Sequence, residues 1–181
     1  MERIQLKALG KINLGLDVLG KRENGYHDVR MIMQTVYLYD EVTLEKRQEP
    51  GITVSTNLIY LPTDKTNIAY RAAKILLDEF GERRGVAIHL KKHIPVAAGM
   101  AGGSADAAAV LFGMNRMFGW KLREKELMER GVTLGADLRA DCSGRRSDRG
   151  DRRAGRWTGR PRACRSGQPS SSGARSSRKP M

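Results

Sequence analysis

The residues best suited to chemistry form a glycine-rich segment over residues 95–106, Pro-Val-Ala-Ala-Gly-Met-Ala-Gly-Gly-Ser-Ala-Asp. It runs directly into an alanine-rich stretch of helical composition. The first N–H groups of a helix lack partners within the helix, and the helix dipole places partial positive charge there. Gly99, Gly102 and Gly103 carry no Cβ, so a phosphate could approach the main chain. The segment predicts an anion-binding loop, with a flexible turn before a buried helix as the alternative.

Three further groups of polar residues could contribute to a site. Lys11 and Asn13 lie at the start of a predicted strand, Tyr26 and His27 follow a turn, and Asp137 follows Leu-Gly-Ala. Each has an ordinary alternative: a solvated lysine, an unremarkable histidine after a turn, and an aspartate that caps or turns the chain. The chain has neither a Walker A pattern nor a Gly-x-Gly-x-x-Gly fingerprint, so a phosphate loop here belongs to another class.

The elements that must position these residues are mostly strands in the first half of the chain. Alternating apolar residues predict half-buried strands over residues 4–6, 12–19, 29–38, 41–44 and 52–55. Asn24 and Gly25 predict a turn between the second and third of these strands.

Helices alternate with one more strand in the second half. Asn67 is a plausible N-cap of a helix that ends near Phe80, with Gly81 as its stop. A strand over 86–90 leads into the glycine-rich segment. A helix over 103–118 and a short charged helix over 123–130, ending at Gly131, follow it.

Composition and charge divide the chain near residue 137. The formal net charge is +13, of which residues 138–181 contribute +10 (13 Lys and Arg against 3 Asp and Glu). Arg, Gly, Ser, Ala and Pro make up 33 of those 44 residues, and Ile, Val, Phe and Tyr are absent. Such a segment cannot bury enough apolar surface to offset its ordering entropy. We therefore expect a domain over 1–137 and a disordered Arg/Gly/Ser-rich tail over 138–181.

The tail has two interpretations. It could be an arginine-rich segment that binds RNA or DNA. It could also be a GC-rich gene read out of frame, because Arg, Gly, Ala and Pro have GC-rich codons. The nearly balanced domain gives no reason of its own to expect a nucleic-acid partner.

Other features of the sequence indicate the cellular compartment. Both cysteines lie in the tail, so the domain needs no oxidising compartment. The N-terminus lacks an apolar signal core, and glycines, Ser104 and Asp106 interrupt the apolar residues 94–114. We expect a cytoplasmic protein without a membrane partner.

Taken together, the motifs resemble a known family. Lys11-Ile-Asn-Leu, Gly25-Tyr-His, the segment from Ile94 to Asp106 and Leu134-Gly-Ala-Asp occur in the order found in the small-molecule kinases of the galactokinase, homoserine, mevalonate and phosphomevalonate (GHMP) superfamily. Within it, the chain resembles the branch that phosphorylates a cytidine-diphosphate-linked methylerythritol in the non-mevalonate isoprenoid pathway. The resemblance covers residues 1–137 and implies an α+β fold of the ribosomal-protein-like type, that of the GHMP-kinase N-terminal domain.

The resemblance also implies roles for individual residues. ATP and Mg²⁺ would be the cofactors, with Lys11 and Asp137 as the catalytic pair. Asn13, Tyr26 and His27 would contact the substrate, and the metal ligands stay unassigned. The ATP phosphates would be held by Pro95, Val96, Ala97, Ala98, Gly99, Met100, Ala101, Gly102, Gly103, Ser104, Ala105 and Asp106.

The sequence departs from the family pattern at three places. Gly10 replaces a common alanine, and Ala105 replaces a second serine, which leaves Ser104 as the remaining hydroxyl. After Asp137 the family continues into a C-terminal domain, and residues 138–181 do not resemble it. We therefore expect a kinase by ancestry whose activity is impaired. A homodimer is possible. A non-catalytic truncated product and a nucleic-acid-binding chain that acts through its tail are the alternatives.

Overall fold

The computed structural model describes residues 2–21 and 27–134, except the side chains of residues 21 and 27–29. The expectations for Tyr26, Asp137 and the tail over 138–181 lie outside these residues. The described residues fall into a larger unit, 2–12 and 34–134, and a smaller unit, 13–21 and 27–33.

A four-stranded sheet and three helices make up the described chain. The elements are β1 (Arg3–Lys21), β2 (His27–Arg47), β3 (Ile52–Thr56), α1 (Ile68–Phe80), β4 (Gly85–Lys91), α2 (Gly102–Phe118) and α3 (Glu124–Leu134). The strand order is β1-β2-β4-β3, with β4 antiparallel to β2 and parallel to β3. Because parallel neighbours need a crossover connection, α1 joins β3 to β4.

The long strands differ from the sequence prediction. Residues 4–6 and 12–19 form one continuous strand, and residues 29–38 and 41–44 form another. In the smaller unit, Leu14, Leu16 and Val18 are exposed rather than half-buried. Alternation marks one face of a strand as apolar, but it does not say what covers that face.

The core lies between the helices and one face of the sheet. Val42 and Leu44 of β2 and the alternate residues of β4 are buried against α1 and α2. At Gly113 of α2, an added Cβ would lie 2.5 Å from Leu44 Cδ1, so this helix approaches the sheet too closely for a side chain. The position of α2, and therefore of the glycine-rich segment before it, is fixed by this packing.

Local chemistry sets the ends of the helices. The Asn67 side chain accepts a hydrogen bond from the Ala69 amide at 2.8 Å, and Gly81 ends α1 in the left-handed conformation, as predicted. The predicted end of α3 at Gly131 is wrong, because the helix continues to Leu134. Gly131 is buried in line with Leu127, so it serves packing rather than termination.

Candidate active site

The start of α2 presents uncapped amides. Ala101 is the N-cap residue, and it makes no side-chain capping hydrogen bond because its methyl group cannot accept one. This contrasts with α1, where the Asn67 side chain caps the first turn. The free N–H groups and the positive end of the helix dipole therefore remain available to an anion.

The loop before α2 has an unusual backbone. Ala97, Gly99 and Ala101 have φ angles of 60°, 73° and 58°, so every second residue is left-handed. The two alanines each carry a cost of about 1–2 kcal/mol in this conformation. Left-handed residues occur in the backbone turns that bind anions in many phosphate sites. Strain of this kind, in a loop whose residues 95–99 are exposed, is the basis of a hypothesis of function.

A hydrogen bond joins the loop to β1 at Lys11. The Lys11 amide donates a hydrogen bond to the Met100 carbonyl at 3.1 Å. One residue earlier, a Cβ on Gly10 would lie 3.2 Å from Ile94 Cδ1, 3.3 Å from the Leu38 carbonyl oxygen and 3.5 Å from the Met100 carbonyl oxygen of the loop. Glycine at position 10 therefore allows a close approach between β1 and the loop. The structure thus brings two predicted parts of the site together, Lys11 and the phosphate loop.

The two glycines that open α2 have different surroundings. A Cβ on Gly102 would lie 3.0 Å from Ile94 Cγ2 and 3.4 Å from Asp40 Oδ2, so this glycine faces the packed interior. A Cβ on Gly103 would meet only Ile68 Cγ2, at 3.7 Å, and Gly103 is exposed. Ser104, which follows, is half-buried. Of the two glycines, Gly103 is the one that leaves room for a ligand at the first turn.

Beneath the loop lies a cluster of buried charges. Asp40, Lys92 and Asp106 are 0%, 7% and 2% exposed. Lys92 Nζ donates to Asp40 Oδ2 and, at 2.5 Å, to Asp106 Oδ2. Asp40 Oδ1 accepts hydrogen bonds from the amides of His93 and Ile94 at 2.6 and 2.8 Å. We call these three charged residues the buried charge cluster.

Asp106 is the least well satisfied member of the buried charge cluster. Its Oδ1 atom is buried and has no hydrogen-bond partner. Burial raises the pKa of Asp106 to about 7, with a further increase from Asp40, while Lys92 acts in the opposite direction. Among the residues of the predicted phosphate loop, Asp106 therefore lies below the loop and contacts charged side chains rather than solvent.

The structure describes the other predicted site residues only in part. Asn13 is exposed on β1, and His27 is the first residue of β2 with no described side chain. Tyr26 and Asp137 lie outside the described residues, so their roles stay predictions. Within the described ranges, no group of three or more His, Cys, Asp or Glu residues is arranged to hold a metal ion.

Sequence reasoning missed Asp40 and Lys92, although a signal was present. Asp40 is in phase with the buried Val42 and Leu44 on β2. Lys92 is in phase with the buried Ile88 and Leu90 of β4. A charged residue that continues the core-facing phase of a strand predicts a buried ion pair, because an isolated buried charge is too costly.

Comparison with known proteins agrees with the fold. Residues 67–145 match the family model described as the GHMP kinases N terminal domain, and these residues include the loop and α2. The chain therefore carries a GHMP kinase N-terminal domain of α+β type. The family predicted from the motifs is confirmed.

Within this family, the chain is similar to 4-diphosphocytidyl-2-C-methyl-D-erythritol kinases. It is 57% identical to the enzyme of Lachnoclostridium phytofermentans over 138 residues, which is 76% of this chain and 47% of the relative. It is 55% identical to the enzyme of Alkaliphilus metalliredigens with the same coverage. A crystal structure of 4-(cytidine 5'-diphospho)-2C-methyl-D-erythritol kinase matches with a TM-score of 0.68 at 35% identity, covering 78% of this chain and 50% of that one.

The chain spans about half the length of the curated relatives it matches. No helix within the described residues is long and apolar enough to cross a membrane.

Proposed function

We propose that this domain binds the phosphates of ATP at residues 95–105, above the buried Asp106, for transfer of a phosphoryl group to a hydroxyl of 4-diphosphocytidyl-2-C-methyl-D-erythritol. The observation that carries the proposal is the uncapped start of α2, preceded by a loop with three left-handed residues. The names of the relatives supply the acceptor, and we extend it to this chain as a proposal.

The geometry suits phosphoryl transfer because this reaction depends mainly on positioning and electrostatic stabilisation. Backbone amides fixed by the loop need little reorganisation as charge moves onto the transferred group. Lys11 follows the residue that packs against the loop, and its amide is bonded to Met100. We propose Lys11 and Asp137 as the catalytic pair, in which Asp137 accepts or orients the hydroxyl proton and Lys11 keeps that carboxylate ionised.

The acceptor would be recognised by Asn13, Tyr26 and His27. An aromatic ring offers a stacking face to a pyrimidine base, and an imidazole offers a hydrogen-bonding edge. Asn13 would lie near the reacting end of the substrate. These roles derive from the family resemblance.

The residues present fit ATP better than they fit a resident metal. The exposed, uncapped loop suits a triphosphate, whereas the described residues hold no metal-ligand cluster. Magnesium commonly enters such sites on the substrate phosphates with several waters and few protein ligands. The Ser104 hydroxyl at the start of α2 is the candidate protein ligand, and the ion would neutralise phosphate charge during transfer.

Calorimetric titration of the full chain tests the nucleotide part of the proposal. We expect MgATP to bind more tightly than adenosine, because the phosphates carry the interaction. Equal affinities for the two ligands, or no binding of MgATP, would contradict it.

Release of ADP in the presence of the proposed acceptor tests the reaction. We expect ADP release to require the cytidine-containing acceptor in addition to MgATP. Mevalonate serves as the control acceptor. Turnover with mevalonate but not with the cytidine-containing substrate would refute the assignment of the acceptor.

A further inference from the structure

The buried charge cluster joins three elements at one end of the sheet. The register of β2 and β4 ends at the pair Glu41 and Lys91, so Asp40 and Lys92 lie one step beyond it, on the core side. Asp106 reaches the same point from α2 and accepts a hydrogen bond from Lys92. The cluster therefore connects a central strand, the chain that leaves β4 and the helix after the loop.

These contacts hold both ends of the loop. At its entry, one carboxylate oxygen of Asp40 receives the amides of His93 and Ile94. At its exit, α2 is tied through Asp106 and Lys92 to the same aspartate. The left-handed residues at 97, 99 and 101 lie between these two anchors. Fixing both ends of a strained segment is what allows it to keep a sparsely populated conformation.

Stability alone does not account for such a cluster. Two carboxylates and one ammonium leave a net negative charge in the interior when all are ionised, and Asp106 Oδ1 is left without a partner. Well-packed apolar residues in place of a buried ion pair are often as stable or more stable. What apolar residues cannot supply is the directed bond from Asp40 to the amides at the loop entry.

We propose that Asp40, Lys92 and Asp106 are positioning residues that set the geometry of the glycine-rich loop by clamping its entry and exit to β2. They do so from below, without contact with the nucleotide. The functional meaning of this inference rests on the proposed phosphate site, but the clamp itself is a property of the chain without ligand.

Three aspartate-to-asparagine variants of the full chain separate the clamp from general stability. Asp40→Asn weakens the acceptor of the loop-entry amides. Asp106→Asn keeps an oxygen for Lys92 but removes the charge. Asp78→Asn is the matched control, because Asp78 is exposed on α1 in a surface pair with Lys74 at 2.9 Å.

Hydrogen exchange without ligand measures the clamp directly. Asp40→Asn should increase exchange at the amides of residues 93 and 94 by about tenfold, the loss of roughly 1.4 kcal/mol of local protection. Amides of α1 and of the pair β3 and β4 should be unchanged. Unchanged exchange over 93–101 in both cluster variants, or a uniform increase throughout the domain, would overturn the proposal. If Asp40→Asn fails to fold, hydrogen exchange at the amides of residues 99–106 in Asp106→Asn answers the same question.

Titration with MgATP gives the second readout. Asp40→Asn should bind MgATP more weakly than the wild type and Asp78→Asn, because the entry of the loop is held less firmly. Equal affinities in all three would contradict a role of the clamp in binding. If no form binds MgATP, the proposed function fails, and the exchange experiment still decides whether the clamp exists.

Discussion

Replacing Gly103 with alanine should weaken nucleotide binding without lowering the stability of the domain. Gly103 lies in the first turn of α2, and an added Cβ would make only an ordinary contact with Ile68 at 3.7 Å. A glycine-to-alanine change at a compatible helical position stabilises by about 0.4–1 kcal/mol. Unfolding in urea should therefore show a stability equal to or slightly above that of the wild type.

The loss of affinity in Gly103→Ala follows from the space that the Cβ takes. Gly103 is exposed at an uncapped helix start, where a phosphate must approach the amides within hydrogen-bond distance. One hydrogen bond to a charged group contributes about 1.5–3 kcal/mol. Losing one such bond weakens MgATP binding by about tenfold to a hundredfold, which calorimetric titration can measure.

Gly102→Ala is the matched control because it makes the same chemical change one residue earlier. Its Cβ would lie 3.0 Å from Ile94 Cγ2, and Ile94 is itself buried. Overpacking of this kind costs about 1–3 kcal/mol, so stability should decrease. If Gly103→Ala binds MgATP as tightly as the wild type, the start of α2 is not the phosphate site. If Gly102→Ala is as stable as Gly103→Ala, the packing argument is wrong.

Two further predictions concern stability. Leu111→Ala should cost about 2–5 kcal/mol in urea unfolding because Leu111 is fully buried, whereas Phe112→Ala, at a residue 48% exposed, should cost roughly 1 kcal/mol or less. The raised pKa of Asp106 means that the folded state keeps a proton that the unfolded state releases. The contribution of Asp106 to stability should therefore decrease as the pH rises from about 4 to about 7, by up to about 4 kcal/mol. Asp106→Asn should reduce this dependence, and an identical pH profile in the variant would show that Asp106 is not the group responsible.

Features with a local cause could be predicted from the sequence. The start of α1 depends on one side chain, Asn67, and its end depends on the left-handed glycine that follows Phe80. The glycine-rich loop before α2 could be predicted because its signal is also local, in the glycines of the segment itself. Motif order then supplied the family, which the comparisons confirm.

Features that depend on distant partners could not be predicted in the same way. Asp40 and Lys92 are 52 positions apart in the chain and meet only because β2 pairs with β4. Strands β1 and β2 also continue through residues where the alternation of apolar and polar side chains is weak, and this depends on neighbouring elements. The burial of Gly131 depends on neighbouring elements as well. Periodicity identifies which face is covered, but pairing decides which residues meet on it.

The central position of β4 has a consequence for the order in which the domain assembles. Arg47 pairs with Gly85 although they are 38 positions apart, and β3 acquires its parallel neighbour only when β4 is present. At synthesis rates of about 5–20 residues per second, β2 waits several seconds for this partner. Its unpaired edge is exposed during that time, when pairing with another chain competes with folding. The strand that leads into the glycine-rich loop is thus also the strand that completes the pairing of β2 and β3.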